Sequence, residues 1–491
     1  MEPKTIFEKS VKGRIGYSLP ECEIDKNLED FFPTEILRKV KPNLPEVSEL
    51  DAMRHYIEIS AKNHFIEKGF YPLGSCTMKY NPKINDIVNT LLGLTNLHPY
   101  QPEDTIQGAL QIMYELQNDL SEISGMAEVS LQPVAGAHSE FAGANIIYNY
   151  HKNKGNQKTK IIMPDSAHGT NPATSALHGY EVVEIKSNEQ GKVDIDALKQ
   201  VIAKDIAGFM LTNPNTLGVF ETEVKEIAEI IHSVDGLMYM DGANLNAMLG
   251  YIRPGDIGVD IVHFNLHKTF STPHGGGGPG GGGIGVIKKL VRFLPFPIIK
   301  KENDKYYFDY NIKNSIGKVH SFYGNFLVMV RAYIYLKMLG EKGLQRVAEN
   351  AIINTNYLMK KLENYFPVPY QKDVMHEFVA SGEKFKKYDV KTLDIAKRLL
   401  DYGFHAPTIY FPLIVHEALM IEPTETESKE TLDSFIEAMI KISEEAESNP
   451  EKLKNAPENT PVGRLDETAA IKNLDVKFSF DDEITETANK R

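Results

Sequence analysis

Between residues 96 and 290 short apolar runs alternate with amphipathic stretches, and few folds accommodate that order. The runs are Glu128–Leu131, Lys160–Met163, Glu181–Ile185, Gly208–Leu211, Leu237–Met240 and Ile261–Leu266. Helical patterns at Ser139–Tyr150, Ile195–Ala203 and Glu223–Ser233 separate several of them. A parallel connection must cross over the sheet, so strands alternating with helices give a largely parallel sheet covered on both faces. Such sheets bind ligands beyond the carboxyl ends of their strands. The expected class is α/β, and the polar residues that end these runs are the candidates for chemistry.

The flanking regions read differently. Residues 1–95 form an N-terminal arm with one helix from Asp51 to Glu67, which places Met53, Tyr56, Ile57, Ala61, Phe65 and Ile66 near one face. The Pro-punctuated YPLGSCTMKYNPK (71–83) reads as extended chain laid on a larger body, either the main domain or another subunit. A large domain is expected over 96–340 and a small one, with a charged tail, over 341–491. A long helix from Phe326 to about Lys361 leads into the latter. There a helix at Thr392–Tyr402, strand-like Thr408–Pro412 and Leu419–Glu422, and a helix at Thr431–Glu447 imply an α+β arrangement on a small antiparallel sheet.

Composition narrows the partners. The net charge of −13 argues against a nucleic-acid surface, which needs clustered Lys and Arg. Two cysteines, Cys22 and Cys76, cannot frame a chain of 491 residues with disulfides, so a reducing compartment is expected. No apolar run approaches the ~20 residues of a membrane helix, and MEPKTIFEKS lacks the apolar core of a secretory signal. A cytoplasmic protein with no nucleic-acid and no membrane partner is the expectation.

Several strand ends suit one ligand. In LQPVAGAHSE (131–140) a strand passes through a small-residue turn, Ala135, Gly136 and Ala137, into a helix whose N-terminal amides could hold a phosphate. The same turn could exist only to pack. In MPDSAHGTNPA (163–173) His168 follows a strand, where its imidazole could lie against an aromatic ring or be incidental to a helix cap. Asn213 and Thr216 occupy the turn of LTNPNTLG, and Asp241 closes the strand in MYMDGANLNA. That aspartate could pair with a protonated pyridine nitrogen or merely cap the next helix. The deciding segment is HFNLHKTFSTPHGGGGPGGGGIGV (263–286), with Lys268 after an apolar strand and before eight glycines interrupted by Pro279. A lysine at a strand end in a desolvated pocket can lose its proton and attack an aldehyde. A floppy linker with a surface lysine would hardly be set between IVHFNL and IGVI.

SAHGTNPA, MDGANLNA and NLHKTFSTPHGGGGPGGGG, with LGSCTMKYNPK and PVGRLDETAA, resemble the signature segments of the glycine-cleavage P-protein family, and within it the lysine-bearing subunit 2. The resemblance implies the aminotransferase-like fold type I and pyridoxal 5'-phosphate as cofactor. It implies that Lys268 carries the cofactor as a Schiff base, that Asp241 pairs with the pyridine nitrogen, and that His168 stacks on the ring. Asn213 or Thr216 would contact the phenolic oxygen. His267 or His274 would donate protons near Lys268 or brace it. No arginine is assigned to the substrate carboxylate. The implied reaction is decarboxylation of glycine and passage of an aminomethyl group to the lipoyl arm of an H-protein. A glycine dehydrogenase subunit 1 would complete a heterotetramer of two and two. The alternatives are another enzyme of this fold, such as an amino-acid decarboxylase or carbon–sulfur lyase, and a non-catalytic scaffold. A nicotinamide-binding protein is disfavoured, because no GxGxxG follows a strand. Replacing Lys268 by Ala is expected to abolish both the visible imine absorbance and decarboxylation while circular dichroism stays unchanged; turnover retained in that variant would overturn the assignment.

Overall fold

The computed structural model describes residues 4–475 and 478, apart from 22, 25 and 41; Cys22 and the remainder of the C-terminal tail lie outside them. The chain divides into two compact units at Lys68/Gly69, inside the stretch read as one arm. In the first unit α1 (Glu49–Ser60) starts on a capping box, with the Ser48 side chain accepting from Asp51 N and Asp51 answering to Ser48 N. The ion pairs Lys9–Glu58 (3.0 Å) and Arg14–Asp51 (2.8 Å) tie the preceding chain to this helix. The helix is shorter than the apolar periodicity predicts. Lys68 Nζ donates to Ala61 O at 3.0 Å and Asn63 O at 3.3 Å, so turns replace the last expected helical turns. Met53, Tyr56 and Ile57, expected near one face, are exposed.

In the second unit the helices α2 (Lys83–Val88), α3 (Leu92–Thr95) and α4 (Gln107–Ser124) precede the first strand. The large sheet is built from β1 (Glu128–Ser130), β2 (Lys160–Pro164), β3 (Glu181–Ile185), β4 (Ile206–Thr212), β5 (Leu237–Asp241), β6 (Ile261–Asn265) and β7 (Gly282–Val286), in the order β1-β7-β6-β5-β4-β2-β3. The pairs from β3 through β2, β4 and β5 to β6 are parallel, and β7 is antiparallel to both its neighbours. Between strands run α5 (Gly136–Lys154), α6 (Thr170–Leu177), α7 (Ile195–Val201) and α8 (Val224–Ser233). Side chains alternate across a strand, and here both faces are apolar. Ile161, Met163, Met210 and Tyr239 join one cluster with Ile146 and Ile147 of α5, whereas Ile162, Phe209, Leu211 and Met238 join another with Ile227 and Ile231 of α8. This is why the strands read as near-continuous apolar runs.

The four glycines after His274 are no linker: Gly275, Gly276 and Gly277 have φ of 61°, 69° and 113°, a turn only glycine makes without strain, and the second four lead into β7. The hairpin β8 (Ile298–Glu302) and β9 (Lys305–Asp309) precedes α9 (Phe326–Leu362), which is interrupted at Gly340. Beyond it β10 (Phe378–Ser381), α10 (Thr392–Asp401), β11 (Thr408–Ile409), β12 (Ala418–Ile421) and α11 (Lys429–Ser448) form the expected small antiparallel sheet with helices. Its core includes Leu358, Leu362, Phe378, Leu419, Phe435 and Met439.

The segment from Gly69 onward is laid on this body as extended chain. Leu73 bridges to Ile421, Gly74 N–H donates to Met420 O at 3.2 Å, and Tyr71 stacks on His405 with ring centroids 4.0 Å apart. Lys79 then anchors it. Its fully buried ammonium donates to Glu425 (2.8 Å), Asn246 Oδ1 (2.8 Å), Thr269 O (2.8 Å) and Tyr335 OH (3.1 Å). Removing one partner of a buried pair leaves the other charge desolvated and uncompensated. Lys79→Met is therefore expected to lower the unfolding free energy by about 3–5 kcal/mol in urea titrations; a loss below about 1 kcal/mol, the scale of an exposed pair, would overturn that account of the anchor.

Candidate active site

Parallel strands leave the sheet at one edge, so the ends of β2, β4, β5 and β6 bring His168, Asn213, Asp241 and Lys268 to the same side. Lys268 lies in the turn after β6, with its N–H on Asn265 O (3.1 Å) and its carbonyl accepting from Ser271 N (3.2 Å). The Lys268 ammonium donates to Ser75 O at 2.7 Å. Ser75 belongs to the laid-on segment, and both it and Thr77 have positive φ, 64° and 48°. This turn therefore aims a backbone carbonyl at the lysine.

Asp241 is buried at the end of β5. Burial alone would push its pKa up, but the nearby His263 and the Ala243 N–H (2.9 Å) outweigh it, and the carboxyl is held below its usual range. His263 Nε2 lies 3.2 Å from Asp241 Oδ1, and its Nδ1 lies 2.5 Å from Tyr239 OH, so a buried chain of three side chains runs behind the carboxylate. Burial lowers the His263 pKa, which keeps the ring neutral and able to donate to only one side.

His168 sits in the turn after β2, its Nδ1 2.9 Å from Thr170 Oγ1, whose hydroxyl donates to Glu140 Oε2 at 2.7 Å. Burial lowers the His168 pKa, with Asp241 and Lys268 pulling it in opposite directions, so the ring lies within the field of both. The imidazole also meets Phe411 edge-on, with centroids 5.9 Å apart. Glu140 of α5 is buried and pushed up to about 7, chiefly by desolvation.

At the start of α5 the N-cap is Ala135, which makes no side-chain capping bond and so leaves the first-turn amides that follow, Gly136 and Ala137 among them, uncapped by it. Gly136 packs against the end of β6, where a Cβ would come within 2.6 Å of Asn265 Nδ2, and Asn265 Oδ1 is buried without a hydrogen-bond partner. Asn213 and Thr216 are otherwise engaged. The Asn213 amide clamps the Glu221 backbone (Oδ1 from N, 3.0 Å; Nδ2 to O, 3.4 Å), and Thr216 Oγ1 donates to Ser166 O at 2.6 Å. Their polar atoms shape the loop after β4. His267 Nδ1 lies 3.0 Å from Gly281 O, and burial with Lys268 beside it lowers its pKa to about 4. It is thus a neutral brace for the glycine-rich turn, with the His274 ring 5.5 Å away.

These groups fit pyridoxal 5'-phosphate. An amine, an ionised buried carboxylate and an uncapped helix N-terminus match its aldehyde, pyridinium nitrogen and phosphate. The residues that sequence reasoning did not single out are Ser75, His263, Glu140, Glu377 and Glu422. The signals were faint: His263 breaks an apolar strand, and the carboxylates of HEF and IEPT follow or interrupt apolar runs.

Comparison with known proteins places the chain. Residues 12–307 match the family described as glycine cleavage system P-protein, and residues 347–462 match glycine dehydrogenase, C-terminal domain. The chain is 57% identical over 484 residues to a probable glycine dehydrogenase (decarboxylating) subunit 2 of Chloroherpeton thalassium, covering 98% of each. It is 58% identical over 476 residues to the protein of the same name from Caldanaerobacter subterraneus, covering 96% of this chain and 98% of that one. A crystal structure of glycine decarboxylase (P-protein) of the glycine cleavage system, in inhibitor-bound form, superposes with a TM-score of 0.72 at 20% identity, covering 85% of this chain and 95% of that one. A NifS-like protein superposes at 0.60 and 16% identity, covering 76% and 99%. The architecture is thus that of fold type I, as expected.

Asp241 contributes stability that is present above the ordinary carboxyl range near 3.8 and lost as pH falls through its depressed native pKa. His263→Phe removes its neighbouring donor. The variant is expected to lose about 1–3 kcal/mol at neutral pH, with the difference narrowing in acid, where a proton satisfies Asp241 in both proteins. Chemical denaturation across pH checks this; a pH-independent difference would mean that His263 does not support the charge.

Proposed function

Because the chain belongs to the glycine cleavage system P-protein family, as a glycine dehydrogenase (decarboxylating) subunit 2, we propose that it decarboxylates glycine with pyridoxal 5'-phosphate held on Lys268. The observation that carries this is the pairing of an amine at the end of β6 with an ionised, buried Asp241 at the end of the adjacent β5. When bound, the cofactor supplies an electron sink for the bond broken in carbon dioxide loss.

The chain's own residues then have distinct tasks. The amides at Gly136 and Ala137 would hold the phosphate at the N-terminus of α5. Asp241 would keep a proton on the pyridine nitrogen, because its carboxylate is stabilised as the anion by Ala243 N–H and His263. His168, neutral through burial, presents a flat ring to the cofactor without adding charge. Lys268 is the residue that would hold the cofactor, through its aldehyde carbon. The segment over Lys268 shields this nitrogen from water on the Ser75 side. His267 is neutral at physiological pH and braces Gly281.

The aminomethyl group passes to the lipoyl arm of an H-protein, and a subunit 1 joins this chain in a heterotetramer of two and two. The names of the relatives support the subunit reading, since a subunit 2 implies a companion. A cytoplasmic location accords with the absence, among the described residues, of any helix long and apolar enough to cross a membrane.

The test is an absorbance spectrum with pyridoxal 5'-phosphate before and after borohydride, followed by peptide mapping. A bleached visible band with the label on Lys268 is expected, and glycine-dependent carbon dioxide release on adding subunit 1 and H-protein. No band with the partner present would move a non-catalytic scaffold to the front.

A further inference from the structure

The Ser75–Thr77 turn is held from its other side by two carboxylates. Ser75 N–H donates to Glu377 Oε2 at 2.7 Å, and Thr77 N–H donates to Glu422 Oε2 at 2.9 Å. Both carboxylates are buried, at 0% and 1% exposure. One oxygen of each and a ring nitrogen of His376 lie within 4.8 Å of one another. His376 is also fully buried, neither of its ring nitrogens has a hydrogen-bond partner, and its Nε2 lies 3.7 Å from Glu377 Oε1. The second oxygen of Glu422 likewise has no partner. Among the described residues no Lys or Arg forms an ion pair with either carboxylate.

Two buried carboxylates this close cannot both ionise without a counter-charge. Desolvation, then each other's charge, pushes Glu377 well up, and desolvation pushes Glu422 up to about 7. The surrounding groups leave one candidate for the balancing cation. His376 is pushed down to about 3 by burial and is neutral. The Cys76 thiol between the two anchored residues is pushed up, chiefly by burial, and is neutral too. Glu425, which faces Glu422, is itself paired with Lys79. Asn244 Nδ2, 3.4 Å from Glu377 Oε1, carries no charge. The cation remaining is Lys268, whose charge acts on both carboxylates and whose Nζ holds Ser75 by the carbonyl while Glu377 holds the same residue by its N–H.

We propose that Glu377 and Glu422 are the proton partner of Lys268, holding one proton between them while Lys268 is an ammonium and gaining a second when Lys268 becomes a nucleophilic amine. One N–H bond of Nζ breaks and leaves its electron pair on nitrogen, one O–H bond forms on the pair, and nothing is oxidised or reduced. The site changes its charge distribution without changing its net charge, so Lys268 can be activated without leaving a bare anion in a buried place. The pair acts through charge and through the Ser75–Thr77 turn, which makes Glu377 and Glu422 positioning residues. That Lys268 is the reacting amine rests on the function proposed above; the coupling of the three groups does not.

The test is infrared titration of the cofactor-free full chain with 13C-labelled glutamate. Glu140 and Glu427, both also pushed up to about 7, give a common background, so a protonated-carboxyl stretching band at neutral pH is expected in the difference between wild type and Glu377→Gln/Glu422→Gln. In Lys268→Met its titration midpoint should rise by about one pH unit or more, because the cation that favours ionisation is gone. If the double variant fails to fold by circular dichroism, Glu422→Gln alone should lower the midpoint of the band, since the remaining carboxylate then faces Lys268 without a like-charged neighbour. No such difference band, a midpoint that Glu422→Gln leaves unlowered, or the same midpoint in Lys268→Met would overturn the proposal. No cofactor is used, so borohydride labelling and this titration can fail independently.

Discussion

A parallel sheet must discharge all its strands at one edge, and the chemistry of this chain is a consequence of that geometry. Hydrogen bonding from β3 across to β6 fixes the strand directions, and the apolar residues on both faces fix the register. A one-residue slip in β5 would turn Met238 and Tyr239 to opposite faces and carry Asp241 away from His263. The placement of a carboxylate beside an amine is therefore paid for by packing that has no chemical role of its own.

The edge alone does not complete the site. Lys268 meets Ser75, which comes from a segment nearly two hundred positions earlier, and that segment is held by carboxylates from the small C-terminal sheet. Lys79 fastens the same segment to the carbonyl of Thr269, one residue after Lys268. Buried charge is tolerated here because each charged group has several polar partners. Four acceptors surround Lys79, and Asp241 has both a backbone amide and an imidazole.

Much of this was legible in the sequence, for identifiable reasons. The strands of the large sheet are buried on both faces, so they appear as apolar runs whose ends point to Asp241 and Lys268. Two strands of the small sheet, β11 and β12, and α9 to α11 showed through their patterning as well, whereas β10 (Phe378–Ser381) did not. The overlong α1 was misread because apolar spacing continues past Ser60, while the lysine that replaces its final hydrogen bonds, Lys68, carries no helical signal. Asn213 and Thr216 stand where a ligand contact would, but polar side chains in a turn also serve the backbone, and only coordinates reveal which. Ser75, Glu377 and Glu422 were invisible for a different reason. Their roles depend on contacts across 302 and 345 residues, and a local pattern holds no record of such distances.

Those separations bear on how the chain comes into being. A ribosome makes Ser75 well before Lys268, and Glu422 emerges long after both. Domains form as units in the order of their synthesis, so the large sheet can assemble while the segment that will cover Lys268 still lacks the two carboxylates that hold its Ser75–Thr77 turn. Contacts this distant in sequence are also the slowest to form. The lysine pocket is thus closed last, and a chain broken off before β12 would have the sheet and the amine but not the finished enclosure.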